Sequence, residues 1–88
     1  MNAQQLELFR LALLRVADLN PAPWGLLPAA FAVHVKQFGF SPEPEDTIRE
    51  LEYLEEKGFL KVPGKNISPE NRAWKITATG RDELAQRG

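Results

Sequence analysis

Apolar positions recur at helical spacing in the first half of the chain and mark two helices. The first is predicted from Ala3 to about Leu19, where Asn20-Pro21 stops the pattern. Its core face consists of Phe9, Ala12, Leu13, Val16 and Leu19. The second helix begins at Pro28, because the missing N–H of proline needs no partner in a first helical turn. Its apolar face consists of Leu27, Phe31, Val35 and Phe38.

Three apolar residues of this half do not fit a simple core face. Leu11 and Leu14 project on the same side as Glu7 and Asp18, the polar stripe of the first helix. Two leucines among charges need a cover, which is either another element of the fold or a second subunit. Trp24 lies in the stiff connector between the helices and is expected to pack over the end of the core. An exposed binding aromatic is the alternative interpretation.

The third predicted helix carries most of the acidic residues. It spans about Pro44 to Lys57 and ends at Gly58, where a left-handed cap is expected. Its core stripe consists of Ile48, Leu51 and Leu54. The opposite face is predicted to centre on Arg49 and Tyr53, one helical turn apart. The carboxylates that flank this face are Glu45, Asp46, Glu52 and Glu56.

A β-hairpin and a last helix are predicted after the third helix. A short apolar strand is followed by two clusters of turn residues and by an alternating strand, in which Trp74 and Ile76 share one face. Thr77 is expected to cap a last helix that runs to Arg87. Leu26-Leu27 is expected to add a short strand beside the hairpin. The pattern therefore predicts a mostly helical α+β fold.

Length and composition limit what this fold can be. Eighty-eight residues support one core, so residues 1–88 are expected to form a single domain. Hydrophobic residues make up 43% of the chain and charged residues 26%, which is typical of a folded globular domain. The chain has no cysteine and no apolar run near the roughly 20 residues of a membrane span. We therefore expect a cytoplasmic protein that makes no membrane contact.

Catalytic and metal-binding residue sets are missing from the sequence. His34, the one histidine, lies at the margin of the second helix's apolar face, and no second metal ligand is placed beside it. No nucleophile–base set and no phosphate-binding glycine loop occurs. We therefore expect a protein that is not an enzyme and that carries neither a metal nor a cofactor.

Charge is distributed unevenly along the chain, although the formal net charge is only −1. Residues 43–57 carry seven carboxylates against two basic residues, whereas residues 58–88 carry six basic residues against three acidic ones. The predicted hairpin is therefore basic and the helix before it is acidic. This contrast bears on nucleic-acid binding, because affinity for phosphate comes largely from Lys and Arg.

Two spaced motifs in the second half resemble the end of many bacterial winged helix-turn-helix regulators. They are Leu51-x-x-Leu54-x-x-x-Gly58-Phe59-Leu60 and Trp74-x-Ile76-Thr77-x-x-Gly80-x-x-x-Leu84. The compact size and the Phe38-Gly39 step are also similar to small winged-helix proteins carried by Mu-like prophages. The resemblance implies a three-helix core, a C-terminal hairpin called the wing, and a short last helix. It also implies binding to double-stranded DNA, with the third helix in the major groove and the wing on the backbone.

Two hypotheses about function follow from the resemblance. A small transcriptional regulator would contact DNA through Arg49, Tyr53, Lys61, Lys65, Asn66, Asn71, Arg72 and Lys75. The acidic third helix departs from that pattern, because carboxylates repel phosphate and Arg49 alone cannot offset them. The alternative is a winged-helix interaction module that docks a basic protein partner through the acidic third helix, without DNA.

A homodimer is a further expectation from the resemblance. The first and last helices of small winged-helix proteins often pair between subunits. Leu11 and Leu14 are therefore candidates for a dimer seam formed by the first helix and the C-terminal helix. The alternative is that the last helix covers these two leucines within one chain.

Overall fold

The computed structural model describes residues 1–64 and 68–87. Its helices are α1 (Ala3–Leu19), α2 (Pro28–His34), α3 (Pro44–Glu56) and α4 (Ala78–Arg87). Its strands are β1 (Leu60–Lys61) and β2 (Lys75–Ile76), and short 3-10 turns cover Val35–Phe38 and Pro69–Asn71. The described chain is thus mostly helical with a small antiparallel sheet, which confirms the predicted α+β class.

Local chemistry sets the helix ends where the sequence predicts them. Asn2 and Gln5 form a capping box at the start of α1, with Asn2 Oδ1 accepting from the Gln5 backbone N–H at 2.8 Å. Proline occupies the first turn of both α2 and α3. Gly58 follows α3 with a φ of 82°, so the predicted left-handed cap is confirmed.

The hairpin and the Leu26 segment form one small sheet. Leu60 pairs with Ile76, and Lys61 pairs with Lys75. Leu26 forms an antiparallel bridge with Trp74 on the other side of β2, through backbone hydrogen bonds of 2.8 and 2.9 Å. The predicted strand beside the hairpin is therefore confirmed, although it is reduced to a single bridge.

Two residues of the second motif join α3, the hairpin and α4. The Thr77 hydroxyl donates to the Gly58 carbonyl at 2.6 Å and accepts from the Gly80 backbone N–H at 3.0 Å. A Cβ at Gly80 would lie 2.2 Å from the Phe59 carbonyl oxygen, so only glycine lets α4 approach the chain this closely. The predicted Thr77 cap is thus confirmed, and it also ties α4 to the end of α3.

The hydrophobic core lies between the helices and the sheet. Phe9 packs on Phe40 with ring centroids 5.3 Å apart. Trp74 is fully buried, and its indole Nε1 donates to Glu55 Oε1 at 3.0 Å. The core residues are Phe9, Ala12, Leu13, Leu14, Val16, Ala17, Phe31, Val35, Leu51, Leu54, Leu60, Trp74 and Ile76.

Several predicted core positions are wrong. Leu19 is 66% exposed because it is the last residue of α1 and lies beyond the core. Leu14, which the helical spacing assigns to the polar stripe, is buried. Leu27 and Phe38 are also exposed, because they lie at the two ends of the α2 segment. Ile48 of α3 is only half-buried. The helical period located the apolar faces of these helices but not the points at which the core ends.

Candidate interaction surfaces

A buried charge cluster joins α1 to α3. Glu50 is only 3% exposed, and its carboxylate accepts from Arg10 Nε at 2.7 Å and from Arg49 Nε at 3.1 Å. The Arg10 guanidinium also lies 3.8 Å from the centre of the Tyr53 ring, a cation–π contact. The prediction that Tyr53 lies on the exposed face of the third helix is therefore wrong: Tyr53 is half-buried against α1.

Arg49 is exposed but already engaged. Its Nη2 lies 3.0 Å from Asp46 Oδ1, in addition to the bond to Glu50. The hydrogen bonds that Arg49 donates to Glu50 and to Asp46 raise the pKa of Arg49 above its ordinary value. The arginine therefore stays charged, but two carboxylates of its own helix neutralise it locally.

The exposed face of α3 is acidic. Its exposed charged positions follow one another at intervals of about one helical turn and are Glu45, Arg49, Glu52 and Glu56. Glu52 Oε2 lies 3.7 Å from Arg72 Nη1 in the segment before β2. Because Arg49 is engaged with its neighbours, carboxylate groups dominate what this face offers to a partner.

The hairpin brings two of the predicted DNA-binding lysines together. Lys61 is exposed and Lys75 is half-buried, and the two are directly opposite in the antiparallel register. Like charges in such a pair repel each other, which makes this position favourable for a bound anion. Asn71 is exposed in the 3-10 turn before β2, and Arg72 is half-buried beside Glu52. The predicted residues Lys65 and Asn66 lie outside the described residues.

Trp24 is the most exposed large hydrophobic side chain among the described residues, at 73%. The prediction that it packs over the end of the core is wrong. Trp74 occupies that end of the core, and Gly25 lies directly against the Trp74 backbone, where an added Cβ would be 2.7 Å from its carbonyl oxygen. The connector is therefore held against the sheet by Gly25, and Trp24 projects outward. The sequence signal that could have favoured the exposed alternative is the position of Trp24 between Pro23 and Gly25 in a short connector.

An open groove of about 970 Å³ lies beside Trp24, between the connector, the start of α2 and the hairpin. Its described lining contains no charged residue, and its polar side-chain groups are the Asn71 amide and the Trp24 indole N–H. The lining consists of Pro23, Trp24, Gly25, Leu26, Leu27, Ala29, Ala30, Pro63, Gly64, Asn71 and Ala73. The structure therefore places an exposed aromatic residue at the wall of an apolar groove.

The predicted dimer residues Leu11 and Leu14 are covered to different extents within one chain. Leu14 is 2% exposed in the core, and Leu11 is half-buried in a groove of about 310 Å³ between α1, α3 and α4. Helix α4 contacts α1, and Arg87 Nη1 lies 2.9 Å from Glu7 Oε2 across this contact. Leu14 therefore has no surface left for a second subunit, whereas Leu11 keeps part of its surface exposed beside α4. The dimer through the first helix and the C-terminal helix stays a prediction.

No group of three or more His, Asp or Glu side chains in residues 1–64 and 68–87 is arranged to hold a metal ion. Within the same ranges, none of the helices combines the length and the apolar character that crossing a bilayer requires. Comparison of this chain with protein-family models, with curated proteins and with solved structures found no match.

Proposed function

We propose that this chain is a winged-helix domain that docks a basic protein partner through α3 and does not read DNA sequence with that helix. The order of elements supports the winged-helix part of the proposal. Three helices are followed by a hairpin, and Leu26 pairs with Trp74 beside the hairpin through a single antiparallel bridge. This is the arrangement that the two spaced motifs imply.

The chemistry of the exposed α3 face is the observation that carries the proposal. A helix that enters the major groove needs cations and amide or hydroxyl groups for phosphates and base edges. The exposed face of α3 instead presents Glu45, Glu52 and Glu56, and the guanidinium of Arg49 is engaged by Asp46 and Glu50. Each carboxylate about 4 Å from a phosphate would add roughly 1 kcal/mol of repulsion in water, and more where water is excluded.

The same face suits a basic protein surface. Glu45 and Glu56 are exposed on one rigid helix, so their spacing is set before a partner arrives. Complementary charge across such a contact provides orientation and a faster association rate more than affinity. The proposed partner is therefore a protein whose contact surface is rich in Lys and Arg.

A matched pair of variants tests the α3 proposal. The double variant Glu45→Gln/Glu56→Gln removes two charges from the α3 face, whereas Glu70→Gln/Asp82→Asn removes two exposed charges elsewhere. Binding of a fluorescein-labelled, lysine-rich peptide is measured by anisotropy at about 50 mM salt. We expect the first variant to lose affinity at least about threefold more than the second, because only the first removes carboxylates from the docking face. Equal losses would show that the peptide senses net charge and would contradict docking through α3.

A second candidate function is DNA backbone binding by the wing alone. The cross-strand pair of Lys61 and Lys75 favours it, since two neighbouring ammonium groups can both contact the phosphates of one DNA strand. This candidate predicts micromolar binding to mixed-sequence duplex DNA that weakens steeply between about 50 and about 200 mM salt. It also predicts that Lys61→Ala/Lys75→Ala abolishes this binding. If DNA is bound and Glu45→Gln/Glu56→Gln strengthens the binding more than Glu70→Gln/Asp82→Asn does, α3 lies against phosphate and the protein-docking proposal is wrong.

A further inference from the structure

The connector before α2 holds Trp24 in one place. The Gly25 backbone N–H donates to the Ala22 carbonyl at 2.9 Å, which closes a turn with Pro23 and Trp24 at its two central positions. The next residue, Leu26, is bonded to Trp74 through both of its backbone groups. Trp24 is thus displayed on a turn that is attached to the sheet, so little backbone entropy is lost when a partner covers it.

The surface around Trp24 combines a projecting side chain with a groove. We call Trp24 and the groove lining together the Trp24 patch. Trp24 is 73% exposed, and the groove of about 970 Å³ begins at the same side chain. A two-fold contact between identical copies uses the same patch twice, so the patch must be complementary to itself. A projecting indole beside an apolar groove meets that requirement, because each copy can place its Trp24 in the groove of the other. Asn71 is exposed and lines the groove, so its side chain can accept a hydrogen bond from the indole N–H of the other copy's Trp24.

Charge and area agree with a second copy as the occupant. The described lining carries no charged side chain, so a two-fold contact would not bring like charges of that lining together. Trp24 exposes roughly 180 Å² if a fully exposed tryptophan presents about 250 Å². A specific contact typically covers about a tenth of a small protein's surface, which is roughly 540 Å² of the 5402 Å² here. One indole supplies about a third of that area, and Leu27 and the groove walls are exposed beside it.

We propose that two copies of this chain associate through this patch, each inserting Trp24 into the groove of the other. The interface uses the connector, the start of α2 and the hairpin, and it leaves the exposed face of α3 free. It is therefore independent of the proposed docking through α3. The interface is at the small end of specific contacts, so the association is expected to be weak and visible only at high protein concentration.

Sedimentation and tryptophan fluorescence over about 5 to about 500 µM protein test the inference. The chain has two tryptophans, and Trp74 is already fully buried, so a change in emission with concentration reports on Trp24. We expect a rise in sedimentation-average mass towards the dimer and a parallel blue shift of emission. Trp24→Ala should weaken self-association at least about tenfold, as expected for a central aromatic contact. Leu19→Ala, which truncates a similarly exposed hydrophobic residue outside the groove lining, should change self-association less than about twofold.

A charge placed in the groove provides the second variant. Ala29 is exposed, lines the groove and lies in the first turn of α2, where a carboxylate is tolerated. Ala29→Glu should therefore fold normally, as checked by circular dichroism, and should weaken the dimer at least about tenfold through like-charge repulsion. A mass that stays monomeric up to about 500 µM with unchanged emission would overturn the proposal. So would a dimer that persists in both Trp24→Ala and Ala29→Glu, because the contact would then lie elsewhere.

Discussion

Removal of the Glu50 carboxylate is the sharpest test of how α1 and α3 are held together. Glu50 is buried, and it accepts one hydrogen bond from Arg10 of α1 and another from Arg49 of its own helix. The variants are Glu50→Ala, which leaves both arginines without this acceptor, and Arg10→Ala, which leaves the buried carboxylate with Arg49 alone. The two variants break the same cluster from opposite sides, so their difference is informative.

The expected magnitudes follow from exposure. Breaking a fully buried ion pair typically costs about 3–5 kcal/mol. The Arg10 side chain is 20% exposed and keeps Glu7 at 3.2 Å, so water and Glu7 partly replace the lost carboxylate. We therefore expect Glu50→Ala to lower the free energy of unfolding by about 2 kcal/mol. Arg10→Ala should cost about 3 kcal/mol, because the Glu50 side chain is only 4% exposed and the contact with Tyr53 is lost as well.

Urea unfolding followed by circular dichroism measures these differences. A chain of this size has an m-value near 1 kcal/mol per molar urea, so the midpoint should fall by about 2 M for Glu50→Ala and about 3 M for Arg10→Ala. Glu56→Ala removes an exposed carboxylate of the same helix and should change the free energy of unfolding by no more than about 0.5 kcal/mol. A cost below about 0.5 kcal/mol for Glu50→Ala, or a cost for Arg10→Ala no larger than that for Glu50→Ala, would show that the Glu50 cluster does not hold α1 to α3 in this way.

Three further stability predictions use the same urea assay. Gly80→Ala should destabilise the fold by about 2 kcal/mol or more, because its Cβ would overlap the Phe59 carbonyl oxygen; a gain would mean that ordinary helix propensity outweighs this contact. Thr77→Ala should cost about 1–2 kcal/mol, since it removes the cap of α4 and the bond to Gly58, and Thr77→Ser, which keeps the hydroxyl, should restore most of it. Leu19→Ala should leave the free energy of unfolding within about 0.5 kcal/mol of the parent, whereas a cost above about 2 kcal/mol would show that Leu19 is buried in solution.

The residues that end and begin elements were predictable because their effects are local. Asn20-Pro21 stops α1, Pro44 starts α3 and Gly58 adopts the left-handed conformation after it, as the sequence indicates. Each effect depends on steric or hydrogen-bonding constraints within a few residues. The alternation around Trp74 likewise identified a buried strand residue, since side chains alternate faces whatever the strand packs against.

Burial at the edges of elements and the pairing of charges were decided by tertiary structure. Leu14 is buried and Leu19 exposed, although both are leucines of one helix, because α4 lies beside α1 and the core stops before its last turn. Tyr53 faces Arg10 of α1, a residue 43 positions away in sequence. Trp24 faces water because Trp74 already fills that end of the core. Such outcomes depend on which distant element occupies the neighbouring space, and helical or strand periodicity carries no information about that.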